Sequence, residues 1–178
     1  MCRWIAYAGP PLRMDTLLFR PENSLIRQSL HATRGVTTNG DGFGLGWYGE
    51  RSFPGLYRDI LPAWNDANLR SLAEQVRARL FFAHVRASTG TATSRENCHP
   101  FAFEHLLFMH NGRIGGYDRI RRRLEALVDD AFYQHRRGTT DSEVFFLLAL
   151  SNGLFDEPIP ALARTLGQVR RVMAEAGI

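Results

Sequence analysis

The stretch "NGDGFGLGWYG" at positions 39–49 constrains the fold more than any other. Side chains on a strand alternate between its two faces, so Phe43, Leu45 and Trp47 share one face and Gly44 and Gly46 the other. The first face asks for an apolar core. The second has no side chains, and glycine inside a strand marks close approach of another backbone or of a ligand. A nucleotide-binding loop is the competing reading. The spacing argues against it: glycines at 40, 42, 44 and 46 lie two apart, which misses GxGxxG, and no GK[ST] follows.

Other segments fit around this strand. "GLYRDI" (55–60) reads as its hairpin partner, and residues 2–8 alternate as a further strand. "LFFAHVR" (80–86) is apolar on both faces and so reads as central; "HLLFMHNG" (105–112) reads as another such strand ending in an Asn-Gly turn. Helices are expected over 23–30, capped by Asn23 or Ser24, and after Asn65 or Asp66, with Leu69, Leu72, Ala73 and Val76 as the inward stripe. Three more follow. One spans 117–129; one opens at the capping box Thr140 and Glu143; one runs from Pro160 to Ala174 on Leu162, Leu166, Val169 and Met173. With no repeat and no linker, residues 1–178 read as one domain, a layered α and β sandwich rather than alternating βαβ units.

Composition narrows the class. Apolar residues make up 44% and charged residues 22% of the 178, as in a globular chain with a core. No segment is long and apolar enough to span a bilayer, and "WIAYAG" is too short for a signal peptide before Pro10, Pro11 and Arg13, so a cytoplasmic protein is expected. The net charge is +4, and none of the basic residues is lysine. The densest basic group, Arg119, Arg121, Arg122 and Arg123, lies opposite Ile120, Leu124, Leu127 and Val128. It reads as the solvated face of a helix rather than a nucleic-acid site. Two cysteines, Cys2 and Cys98, form neither a disulfide framework nor a zinc motif, so no metal is expected.

Four stretches hold polar groups that look out of place in their elements. Cys2 follows the initiator; it is either a small hydrophobe or, once Met1 is removed, a thiol and an α-amino group on one residue. Arg86 closes a central strand and needs an anion, from a structural carboxylate or a bound one. Asn111 and Gly112 form a turn or, alternatively, two donors aimed at one developing oxyanion. Asp141, in the first turn of a helix, complements the helix dipole or binds an ammonium group. His99 and His110 read first as structural. Together these residues supply what an α-amino-acid substrate demands: a cation, an anion, a nucleophile and oxyanion donors.

In "MCR", "HVRASTG", "N-C-H-P-F" followed by "HNG", and "TDSE", in that order over residues 1–150, the chain resembles the class II glutamine amidotransferases, N-terminal-nucleophile hydrolases. "MCRWIAYAG", "GDGFGLGWY" and "FAHVRASTGTA" are most similar to the branch of glutathione-degradation and ergothioneine-pathway γ-glutamyl hydrolases. The resemblance implies an α+β fold, a four-layer αββα sandwich with two antiparallel sheets. It implies Cys2 as nucleophile and Asn111 with Gly112 as oxyanion hole. It places Arg86, with Thr89, at the substrate carboxylate, Asp141 at the ammonium group, and His99 among the substrate-binding residues. The implied reaction is hydrolysis of the γ-glutamyl amide of glutamine or a compound such as glutathione, through a thioester on Cys2, without a cofactor. A non-catalytic subunit that keeps the fold is the alternative. The expected partner is a small γ-glutamyl molecule, with no nucleic acid or membrane. A separate partner subunit and a homo-oligomer are both compatible with it. Gly90 stands where the family's synthases carry a histidine, and the chain stops after a helix, so a domain lacking its C-terminal strands is expected. Because Cys98 neighbours the site motif, an oxidative Cys2–Cys98 bridge is a further expectation.

Overall fold

The computed structural model describes residues 2–30, 38–88 and 92–178. The chain forms two compact units, residues 1–111 and 112–178.

The first unit is built on a four-stranded antiparallel sheet. Its strands are β1 (Arg3–Arg13), β2 (Phe43–Trp47), β3 (Gly55–Asp59) and β4 (Arg77–Val85), in the order β1-β4-β2-β3. The strand expected to be central, β4, is interior. β2 and β3 pair as the expected hairpin, Phe43 with Asp59 through Trp47 with Gly55. β1 runs past the expected end at residue 8, carrying Pro10 and Pro11 with a register shift between Ala8 and Leu12. It is an edge strand, where a residue without an N–H costs no interior ladder bond.

One face of this sheet carries Phe43, Leu45, Phe81, Ala83 and Val85. It packs with Met14, Leu18, Leu25, Ile26, Leu69 and Ala73 from three short helices and their flanks: α1 (Asp15–Leu18), α2 (Leu25–Leu30) and α3 (Ala67–Gln75). Each fully buried Leu or Phe contributes on the order of 1.5–3 kcal/mol. The expected caps are present: Ser24 Oγ accepts from Arg27 N at 3.3 Å, and Asp66 accepts from Leu69 N at 2.6 Å.

The other face meets a second antiparallel sheet of two strands, β5 (Phe101–Phe103) and β6 (Leu106–Phe108). Here the bare face of β2 finds its reason. A Cβ on Gly44 would overlap the backbone carbonyl of His99, and one on Gly46 would sit 2.7 Å from Pro100 Cγ. β6 covers only three of the eight residues expected to be a strand. Its partner β5 is equally short, the chain reverses at Glu104 (φ 49°), and pairing ends at Phe101–Phe108. Residues 109–114 therefore have no regular structure, and Asn111-Gly112 is not a hairpin turn.

The second unit is helical: α4 (Tyr117–Glu125), α5 (Asp130–Tyr133), α6 (Asp141–Ser151) and α7 (Pro158–Glu175). α4 stops short of the expected residue 129, because Leu127 and Val128 bond three residues back and tighten the last turn. Its arginines are exposed and Ile120 and Leu124 fully buried, as the pattern required. α6 is capped by Thr140, whose Oγ1 accepts from Glu143 N at 3.2 Å. The Glu143 carboxylate accepts from Arg137 N and Gly138 N.

The inward line of α7 is Ala161, Thr165, Val169 and Val172, while Leu166 is 52% exposed. The expected stripe counted only apolar residues. Thr165 can face inward because its hydroxyl donates to Ala161 O at 2.8 Å and accepts from Asn152 Nδ2 at 3.0 Å.

The fold is thus α+β with two antiparallel sheets, and no strand follows Phe108. Among the described residues no helix is long and apolar enough to cross a membrane.

Gly44→Ala is expected to cost about 3 kcal/mol or more, since the obstructing atom is backbone and the sheets would have to part. Gly49→Ala, where a Cβ meets nothing within 4 Å, is the control. Thermal unfolding of both variants checks this; equal midpoints would contradict the close approach.

Candidate active site

The β1–β4 ladder sets Arg3 opposite Val85. One residue earlier the chain reaches Cys2, which lies against the residues just past the end of β4. The half-buried Cys2 sulfur accepts from Ala87 N–H at 3.4 Å and lies 3.5 Å from the Ala87 carbonyl. From a distant part of the sequence, the Asn111 side-chain amide donates to the Cys2 carbonyl at 3.2 Å. Cys2 and Asn111, both singled out in the sequence, are therefore in direct contact.

Arg86, 4% exposed, closes the same end of the sheet. Its guanidinium donates to Asp41 O at 3.2 Å, to Ser88 Oγ at 3.3 Å and to Ala92 O at 3.2 Å. The Asn97 amide donates to that same Ala92 carbonyl at 2.9 Å, so Arg86 and Asn97 both hold Ala92. Asp41, whose backbone carbonyl Arg86 holds, also accepts from Ser88 N–H through its carboxylate at 2.6 Å. Thr89 lies outside the described residues.

Gly112 begins the second unit and is exposed. Within that unit Asp141 Oδ2 accepts from Ile114 N at 2.7 Å, which fixes the start of α6 to the segment two residues beyond Gly112.

His99 is 6% exposed. Its ring lies 4.6 Å from that of His84 and 4.5 Å from that of Phe101, centroid to centroid. Among the described residues neither ring nitrogen of His84 or His99 has a hydrogen-bond partner. Burial, reinforced by the positive charge of Arg86, pushes His84 down to about 3. Burial also drives His99 well below the usual histidine value. Both imidazoles are thus neutral inside the wall behind the site.

Cys98 is fully buried, with its sulfur near Asp59 O and Ser94 O, and burial pushes its thiol up to about 11. It is a core residue. Both cysteines are free, and burial makes the Cys98 thiol the less reactive of the two. No group of three or more His, Cys, Asp or Glu residues among those described is arranged to hold a metal ion.

Three contributors escaped the sequence reading. Ala87 acts through its backbone, which no side-chain motif betrays. His84 looked like one more residue of an apolar strand, although its place two residues before Arg86 was a usable signal. Asp41, between Gly40 and Gly42, was read only as part of a glycine-rich stretch.

Residues 22–178 match the sequence profile of the class-II glutamine amidotransferases. The chain is 43% identical over 160 residues to a probable glutamine amidotransferase, DUG3, of Saccharomyces cerevisiae; the match covers 84% of this chain and 45% of that protein. It is 30% identical over 172 residues to the gamma-glutamyl-hercynylcysteine sulfoxide hydrolase of Mycolicibacterium smegmatis, covering 95% of this chain and 69% of the relative. Among solved structures, a glutamine aminotransferase class-II domain protein from Silicibacter pomeroyi superposes with a TM-score of 0.73 at 38% identity, over 97% of this chain and 65% of that one. A half-buried thiol at the start of an edge strand, set against Ala87 and Asn111, and these likenesses agree: the chain belongs to the class-II glutamine amidotransferases. It spans less than half the length of the yeast relative.

The two buried neutral histidines make stability depend on pH. Unfolded, each takes up a proton below about 6.5, which the folded state resists. Their contribution is therefore present above that value and lost as pH falls from 6.5 toward the folded value of His84 near 3. Each histidine should cost about 2 kcal/mol of stability between pH 6.5 and pH 5. Urea unfolding at pH 7.5 and pH 5 checks this; a midpoint that does not fall would contradict it.

Proposed function

We propose that this protein is a cysteine amidohydrolase that cleaves the γ-glutamyl amide bond of glutamine or of a γ-glutamyl compound such as glutathione. The observation that supports it most is the meeting of Cys2 and Asn111 through the Asn111 amide and the Cys2 carbonyl. The names of two relatives, a probable glutamine amidotransferase and a γ-glutamyl hydrolase, point the same way.

The reaction begins once Met1 has been removed. An α-amino group titrates at roughly 7.7–8.0, so near neutral pH a useful fraction is unprotonated and can take the thiol proton of its own residue. The sulfur attacks the substrate's side-chain carbonyl carbon. The resulting oxyanion is received by the Asn111 amide and the Gly112 N–H. The C–N bond breaks, and the leaving amine takes the proton back from the α-ammonium group. Water then attacks the γ-glutamyl thioester on Cys2, releasing glutamate and restoring the thiol.

Arg86 supplies the positive charge for the substrate α-carboxylate, with Thr89 beside it, and Asp141 receives the α-ammonium. His99 serves this site from behind, as part of the wall. Residues 1–178 act as one amidotransferase domain in the cytoplasm, without a metal or organic cofactor. Ammonia or amine is released to water or to a separate partner.

The test is release of ammonia from glutamine and of cysteinylglycine from glutathione, by the wild type and by Cys2→Ala. At least one substrate should turn over, and Cys2→Ala should lose about a thousandfold or more. Equal activity of the two proteins would refute the nucleophile. No turnover by a wild type that has shed Met1 would leave a binding subunit.

A further inference from the structure

Backbone N–H groups on successive residues of a strand point to opposite sides. At the end of β4 this alternation can be followed residue by residue. Arg86 N–H points toward β2 and donates to Gly42 O at 2.8 Å, while Asp41 N–H returns a bond to Arg86 O at 3.1 Å. Ala87 N–H points the other way, toward β1, and meets the Cys2 sulfur at 3.4 Å. Ser88 N–H points again toward the β2 side. Its acceptor there is the Asp41 carboxylate, Oδ2, at 2.6 Å.

This last bond extends the ladder by one residue with a side chain in place of a backbone carbonyl. A 2.6 Å bond to an ionised acceptor is of the charge-assisted kind. It fixes the plane of the 87–88 peptide, whose Ala87 carbonyl lies 3.5 Å from the Cys2 sulfur, while the Asp41 N–H bond to Arg86 O fixes the 86–87 peptide, which carries the Ala87 N–H. Ala87 is thus held on both sides, with its N–H directed at sulfur. The strength of that N–H···S contact depends on the two bonds that flank it. An N–H donated to sulfur orients its lone pairs. The loop that carries Asp41 is itself shaped to fit: Gly42 has φ 111°, and a Cβ there would meet Cys98 Sγ at 2.6 Å and Asp59 O at 2.8 Å.

We propose that Asp41 is a positioning residue for Cys2: by holding the Ser88 amide, its carboxylate keeps Ala87, whose carbonyl and N–H both face the Cys2 sulfur, in place. This rests on Cys2 being the reacting thiol, as proposed above. Asp41 acts through the peptides on either side of Ala87.

The experiment compares the wild type, Asp41→Asn and Asp41→Ala. The readout is the rate of Cys2 alkylation by iodoacetamide at pH 7.5, followed by peptide mass. Protection of the buried Cys98 in the same samples verifies the fold. Asn keeps an oxygen acceptor and Ala does not. Alkylation of Asp41→Ala should slow by about tenfold, and Asp41→Asn should recover most of the wild-type rate. With glutamine or glutathione as substrate, kcat should fall in Asp41→Ala while KM stays within about twofold. Wild-type alkylation by an Asp41→Ala protein that still protects Cys98 would overturn the proposal.

Amide exchange in the wild type decides the matter even if that variant unfolds. A protected Ser88 N–H supports the proposal, and an unprotected one overturns it. A wild type that alkylates readily at Cys2 but hydrolyses no γ-glutamyl compound would refute the proposed activity alone. The role of Asp41 in presenting the thiol would stand.

Discussion

The antiparallel pairing of β1 with β4 is the constraint on which the rest depends. Eight residue pairs, from Arg3–Val85 to Arg13–Arg77, fasten the first strand to an interior strand of the sheet. A chain terminus normally frays, because few contacts oppose its entropy. Here the ladder carries order to the second residue and delivers Cys2 to Ala87. Were the register to slip by one residue, Cys2 would lose its place against the Ala87 N–H, and every side chain of β1 would change face.

The end of that sheet gathers the chemistry because strand ends are where side chains and backbone groups can leave the ladder together. Cys2 comes from the start of β1, Arg86 and Ala87 from the end of β4, and Asp41 from the approach to β2. Nearby in the same unit, His84, His99 and Cys98 are buried. Burying neutral imidazoles beside a buried guanidinium costs stability as pH falls.

Much of this was legible in the sequence, for reasons that differ by element. The alternation of Phe43, Leu45 and Trp47 with Gly44 and Gly46 announced both a core face and a close-packed face, because sterics leave few other uses for such a pattern. The caps at Ser24, Asp66 and Thr140 were readable because capping is local chemistry. β6 was over-read. An apolar run says that a segment is buried, but the length of a strand is set by its partner, and β5 offers only three residues. The inward line of α7 was misjudged because Thr165 is satisfied by Asn152, thirteen residues away, a tertiary fact no periodicity contains. At the end of the sheet, side-chain chemistry was visible at Cys2, Arg86 and Asn111. The contribution of Ala87 was not, since any residue but proline has the same N–H.

The central claim is that the ordered start of β1 presents Cys2 as the reacting group. The most direct measurement is mass analysis of the purified protein before and after incubation with a glutamine-analogue electrophile, with the adduct mapped by peptide sequencing. The account predicts a chain that begins at Cys2 and gains one adduct, located on Cys2, with Cys98 unmodified. A chain that retains Met1, or an adduct located anywhere other than Cys2, would contradict it.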